Sequence, residues 1–280
     1  MADSSVGLGP EVLSLDALVA HVPDGAKIAL PPDYSGCAMA AVRRLIARPA
    51  RGLKLVAVPQ MGFQGDMLIG AGCVEEVEAA AVTLGELGPA PRFTEAIKTG
   101  AIRMKDATCP AIQAGLQAAE KGIPFMPLRG ILGSDLMKVR PDWKVIGNPY
   151  ATAPADDPIA LFPAIAPDLA LFHAAKADGA GNVWIGIRRE LMLMAHAAKA
   201  TYVTVERIEA GADFLKDDAL AAGTIPALYI SAIAEVLHGA APVGLAGVYP
   251  PDRAALAAYV QAAATAEGFR GWLGTTEPQC

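Results

Sequence analysis

The stretch Lys105–Ala114, KDATCPAIQA, sets Cys109 directly before Pro110 where a helix begins. A residue before proline avoids the right-handed helical region, and proline favours the first helical position, so the pattern predicts Cys109 as N-cap and Pro110 as N1. A side chain there stands among the unpaired N–H groups of a helix start, which favour negative charge and can lower a thiol pKa. Nucleophilic work also needs exposure and a base, and no partner is visible in the sequence. Two readings of Cys109 stay open: a thiol with a chemical role, or a small apolar side chain filling a gap.

Other chemistry-bearing residues lie in three Gly-containing loops, PPDYSG, GDMLIGAGC and RGILGSD. Each follows a strand-like run and could offer backbone N–H groups to an anion. Within them Ser35 and Ser134 could hydrogen-bond a ligand or cap their own loops. None of the loops matches the phosphate-loop or dinucleotide fingerprints, and no GxSxG elbow is present. His21, His173, His196 and His238 lack metal-ligand spacing, and Cys37, Cys73, Cys109 and Cys280 lack CxxC pairs. That pattern indicates no metal site and reduced thiols. His196, in LMLMAHAAKA, reads as a core or surface histidine, and the Leu191, Met192, Met194 and Ala195 stripe as packing.

The elements that must carry these loops alternate. Short β-rich runs (AKIALPP, LKLVAV, IPFMPL, DLALFHAA, TYVTVERI) exchange with Ala/Leu segments of helical period (CAMAAVRRLIARP, PRFTEAIKTG, ELMLMAHAAKA, PDRAALAAYVQAAATA). This predicts an α/β fold, an open and largely parallel sheet flanked by helices, in a single domain spanning residues 1–280 with a flexible segment at 1–10. The Pro- and Gly-rich region 131–163 shows little period and reads as long functional loops. Beyond Cys109, Ile112, Leu116 and Ala119 form an apolar stripe while Gln113, Gln117, Glu120 and Lys121 face outward.

Composition excludes several classes. Hydrophobic residues make up 53% of the chain, yet Pro163, Pro167 and Asp168 break the longest apolar run. A bilayer span needs about 18 uninterrupted apolar residues. The opening MADSSVGLGP has no basic and apolar signal region, so a cytoplasmic protein without a membrane segment is expected. A formal net charge of −6 argues against nucleic acid as partner. Basic spots such as VRRLIARPAR could still receive a phosphate.

The segments MAAVRRLI, GDMLIGAGCVEEVE, GLQAAEKGIPFMPLRGILGSDLMK, ADGAGN, VTVERI, HGAAPVGLAGVYPPD and AEGFRGWL occur in that order. Together, from Ile28 to Leu273, they closely resemble the α subunit of family I coenzyme A-transferases of the glutaconate type. The resemblance implies a hetero-oligomer with a β subunit, with the active site between the two. It implies coenzyme A and acyl-CoA as substrates, with no permanently bound cofactor, and CoA moving between carboxylic acids. In that family a β-subunit glutamate attacks the thioester, and the α chain lines the acyl groove.

Carried over, Ser35 and Gly36 fall on the first groove loop, where PPDYSGCA replaces the family's Gly-Gly start. Met67, Gly70, Gly72 and Cys73 fall on the second, and Gly133, Ser134 and Asp135 on the third. At Cys109 relatives commonly carry a glutamate, which is catalytic in a branch of steroid ring-opening hydrolases. A thiol is a poor substitute for a carboxylate base at neutral pH. The alternatives are therefore a hydrolase subunit on the same scaffold, or a non-catalytic homologue with Pro31, Pro32 and Cys109 as signs of drift.

Overall fold

Residues 9–275 are described by a computed structural model. Eight strands form one parallel sheet in the spatial order Glu11–Val12, Ala232–Glu235, Ala200–Val205, Leu169–Ala174, Lys27–Leu30, Leu53–Ala57, Val74–Ala79, Arg103–Asp106. A parallel sheet must be covered on both faces, so its central strands run apolar on both sides. Leu169–Ala174 is buried at every position.

Side-chain alternation divides that apolar content between two cores. Leu53, Leu55, Leu169 and Leu171 join one core with the helices Met39–Ala47 and Phe63–Gly70. Val56, Ala170, Phe172 and Ala174 point the other way, into a core shared with Cys109–Glu120 and Arg189–Ala197.

Chain order along the sheet reverses once. From Lys27–Leu30 the chain proceeds outward through Leu53–Ala57 and Val74–Ala79 to Arg103–Asp106; it then returns to Leu169–Ala174 on the other side of Lys27–Leu30. That boundary is the topological switch point, and the crevice outside the strand ends there is the usual ligand position of open α/β sheets.

The helix Cys109–Glu120 starts one residue earlier than its sequence predicts. Thr108 is the N-cap, extended at φ −112° and ψ 157°, and its hydroxyl accepts from Ala111 N at 3.3 Å. A hydroxyl is a far better acceptor than a thiol, so Thr108 takes the cap. Pro110 then sits at N2, where its missing N–H is still one of the unpaired four. Cys109 itself is exposed, which removes the buried-plug reading.

Region 131–163 is more ordered than its composition suggests. It holds the short helix Leu136–Val139 and the strands Lys144–Gly147 and Pro158–Pro163, which pair antiparallel with each other; the latter also pairs antiparallel with Phe125–Leu128. These strands are short and rich in proline, which hides the period-2 signal. Only Ala160 and Phe162 of the last strand are buried. Of the 1–10 segment expected to be flexible, residues 1–8 lie outside the described residues. Gly9 and Pro10 pack on Ala180 and Gly181. No helix among the described residues is long and apolar enough to cross a membrane.

Candidate functional site

At the C-terminal ends of the parallel strands, three adjoining pockets of about 620, 310 and 520 Å³ surround Tyr34. The first lies between Asp33, Gly62, Leu84 and Arg253, and the second contains Ser35, Gly36, His173 and Arg188. The third runs from Asp33 and Arg188 along residues 243–251. They form one groove over the switch point.

Gly36 is what lets the loop after Lys27–Leu30 close onto the end of Leu169–Ala174 at the switch point. It has φ +80°, and its carbonyl accepts from His173 N at 2.7 Å. A Cβ there would stand 2.1 Å from the His173 carbonyl oxygen, so only glycine fits this approach. The neighbouring Ser35 hydroxyl, 1% exposed, donates to Glu190 and ties the loop to the helix Arg189–Ala197.

Beneath the groove His173, fully buried, is held at both ring nitrogens, by Thr204 at 2.8 Å and Glu206 at 2.7 Å. A carboxylate can only accept, so Nε2 carries the proton. Glu206 also accepts from the Tyr249 hydroxyl and from His238 N, both at 2.7 Å. Burial pushes the Glu206 carboxyl up, but its bonds to His173, His238 N and Tyr249 together outweigh that and hold it at about 2. Burial and the bond to Glu206 raise the Tyr249 phenol. The network joins the ends of two adjacent strands and the 238–249 segment into one rigid wall.

Asp33 is the other charged element. Its carboxylate receives two long contacts, from Phe63 N at 3.3 Å and the Cys37 thiol at 3.6 Å. Burial raises it to about 6 against the lowering effect of those donors, with the Asp66 charge adding to the rise. A raised carboxyl pKa in a cleft marks a functional-site candidate.

The three loops carried over from the resemblance are not gathered together. Ser35 and Gly36 line the second pocket. Met67 and Cys73 are buried in the core beside the sheet, and Gly72 is an exposed turn at φ +73°. Gly70 makes room for Arg92 and Phe269, which a Cβ would approach at 2.6 and 2.8 Å. Gly133, at φ +83°, lies in the turn before Leu136–Val139 with Ser134 and Asp135. Ser134 caps Leu136 N and Asp135 pairs with Lys138, and none of the three residues lines the groove pockets. Cys109 lines none of them either. His196, away from the groove, bonds Glu120 and stacks on Tyr229.

Asp33, His173, Arg188, Glu206 and Tyr249 escaped a reading based on motifs. The signal available for His173 and Glu206 was position: each closes or follows a strand run, in DLALFHAA and TYVTVERI.

The coenzyme A transferase family model matches residues 12–235. The chain belongs to this family. Two relatives show its range. One subunit of the 3-oxoadipate CoA-transferase of Pseudomonas knackmussii is 31% identical over 94% of this chain and 92% of its own. A cholesterol ring-cleaving hydrolase IpdA subunit of Mycobacterium tuberculosis is 30% identical over 85% of this chain and 82% of its own. Among solved structures, glutaconate coenzyme A-transferase of Acidaminococcus fermentans superposes with a TM-score of 0.85 at 26% identity, covering 95% of this chain and 88% of its own. A variant of the decarboxylase AibA/AibB superposes with a TM-score of 0.82 at 29% identity, covering 95% and 98%. The expected fold and the family resemblance are both borne out.

Proposed function

We propose that this CoA-transferase family chain is the α subunit of a hetero-oligomer that moves CoA between carboxylic acids. Its groove binds the acyl part of the thioester, and a β subunit supplies the carboxylate nucleophile. Ser35 and Gly36 remain groove positions in this reading, and a cytoplasmic site of action suits a protein that draws on acyl-CoA.

The carrying observation is a groove whose described lining residues pair no hydroxyl or thiol nucleophile with a free base. The Ser35 hydroxyl is buried and committed to Glu190, and a carboxylate is too weak a base to ionise an alcohol. His173 has both ring nitrogens engaged, so it has no free position to accept a substrate proton. Binding without covalent machinery is what a divided active site requires, since an attacking carboxylate needs placement and an oxyanion stabiliser. The Gly62 and Gly247 backbones border the groove and suit close ligand approach.

The test is CoA transfer from an acyl-CoA to a second carboxylic acid, by this chain alone and with the β chain. Transfer is expected only with both. Free CoA appearing at the same rate with and without acceptor acid would favour hydrolysis, and release of carbon dioxide would favour decarboxylation; either outcome displaces the transferase reading.

A further inference from the structure

Two arginines lining the groove have no carboxylate partner among the described residues, the exposed Arg253 at the far end of the first pocket and the half-buried Arg188 at the centre of the groove, and Arg188 is the one held in place. Arg188 forms the wall shared by the second and third pockets, half-buried, with its guanidinium carbon 5.2 Å from the ring centre of Tyr34. That ring contact is its side chain's partner among the described residues, and no carboxylate pairs with it there. Its neighbours in sequence and on the next strand end, Arg189 and Arg207, are committed. Arg189 donates to the Ala222 carbonyl at 2.6 Å, and Arg207 pairs with Glu209 at 2.7 Å. The nearest acid in sequence, Glu190, already accepts the Ser35 hydroxyl.

The surroundings hold Arg188 in place. It caps the helix Arg189–Ala197 at φ −83° and ψ 73°, and its N–H bonds Ile185 O at 3.2 Å. Stacking on an aromatic face covers one side of a guanidinium while leaving its planar edge of N–H donors free, which suits bidentate capture of a carboxylate or phosphate. Tyr34 touches all three pockets, so an anion held on that edge would sit at the middle of the groove.

We propose that Arg188, presented by Tyr34, is the anion receptor of this groove and selects ligands that carry a carboxylate or phosphate beyond the reacting thioester. The proposal rests on the acyl-CoA reading of the groove. Two sources share this chemistry: a second carboxylate on the acyl chain, and the 3′-phosphate of CoA.

Arg188→Gln, Arg188→Lys and wild type, each assembled with the β chain, separate them. Transfer is measured from glutaryl-CoA, butyryl-CoA and their 3′-dephospho-CoA counterparts, and binding of glutarate and CoA is measured by calorimetry on the same complexes. Loss of a charged bidentate contact corresponds to about a 10- to 100-fold fall in kcat/KM and affinity. A fall for glutaryl but not butyryl donors, partly restored by lysine, assigns the acyl carboxylate. A fall for CoA but not dephospho-CoA thioesters assigns the phosphate. Equal falls for all donors, or no fall, overturn the proposal. Absence of transfer in wild type would count against the functional reading alone, because calorimetry still decides Arg188: unchanged glutarate and CoA affinities in Arg188→Gln overturn its role.

Discussion

Replacing Gly36 by alanine isolates the contact that closes the switch point. Two costs add at this residue. Its φ of +80° places a side-chain-bearing residue in the left-handed region, which costs about 1 kcal/mol. The new methyl would also stand 2.1 Å from the His173 carbonyl oxygen and 3.2 Å from its carbon, both backbone atoms that cannot swing away. Overpacking against backbone adds about 2–3 kcal/mol. Gly25 provides the control, since it has φ +75° with nothing within 4 Å of an added Cβ. Urea titration should show Gly25→Ala destabilised by about 1 kcal/mol and Gly36→Ala by about 3–4 kcal/mol, with Tm falling about 2–4 °C per kcal/mol. Equal losses in the two variants would refute the close approach as the reason for glycine at 36.

Three further outcomes follow from the site. The three donors are divided between the two Glu206 oxygens, so Glu206→Gln sets an amide NH2 against at least one of them and should cost about 2–4 kcal/mol of stability at neutral pH by denaturant titration. Because the Glu206 carboxyl is held at about 2 against an ordinary 4.5, its contribution is present above about pH 4.5 and disappears as pH falls toward 2; the variant's acid unfolding should lack that component. Asp33 runs the opposite way: raised from 3.8 to about 6, it holds a proton in the folded state that the unfolded chain has lost, so stability declines as pH rises through that window. Asp33→Asn should therefore gain about 1–2 kcal/mol at about pH 8, after discounting for solvent screening, and little near pH 3.5. Cys109→Ala, at an exposed first-turn position outside the groove, should leave transfer within about threefold, whereas Cys109→Glu tests whether an acid there introduces thioester or carbon–carbon hydrolysis.

Much of the fold is legible in the sequence because its strands are buried on both faces. Runs such as LVA at 55–57 and LALFHA at 169–174 cannot belong to a half-exposed sheet, and their alternation with helical segments fixes a parallel arrangement. The antiparallel excursion at 125–163 is less legible, since its strands bury few residues and are interrupted or bounded by proline. The site is harder still, because its geometry is long-range. Glu206 meets His173 across 33 residues, and Tyr249 meets Glu206 across 43. Local pattern carries no record of such pairs. Glycine is ambiguous for the same reason: Gly36 serves the groove, whereas Gly70 serves the packing of Arg92 and Phe269. Both look alike in a loop motif.

In the proposed division of labour this chain binds the acyl group while its partner carries the covalent step. Incubating the assembled α and β chains with acyl-CoA and no acceptor, then digesting and weighing the peptides, tests it directly. A CoA-bearing glutamate on the β chain and an unmodified α chain are expected; a CoA or acyl adduct on this chain, at Ser35, Cys109 or elsewhere, would refute that division.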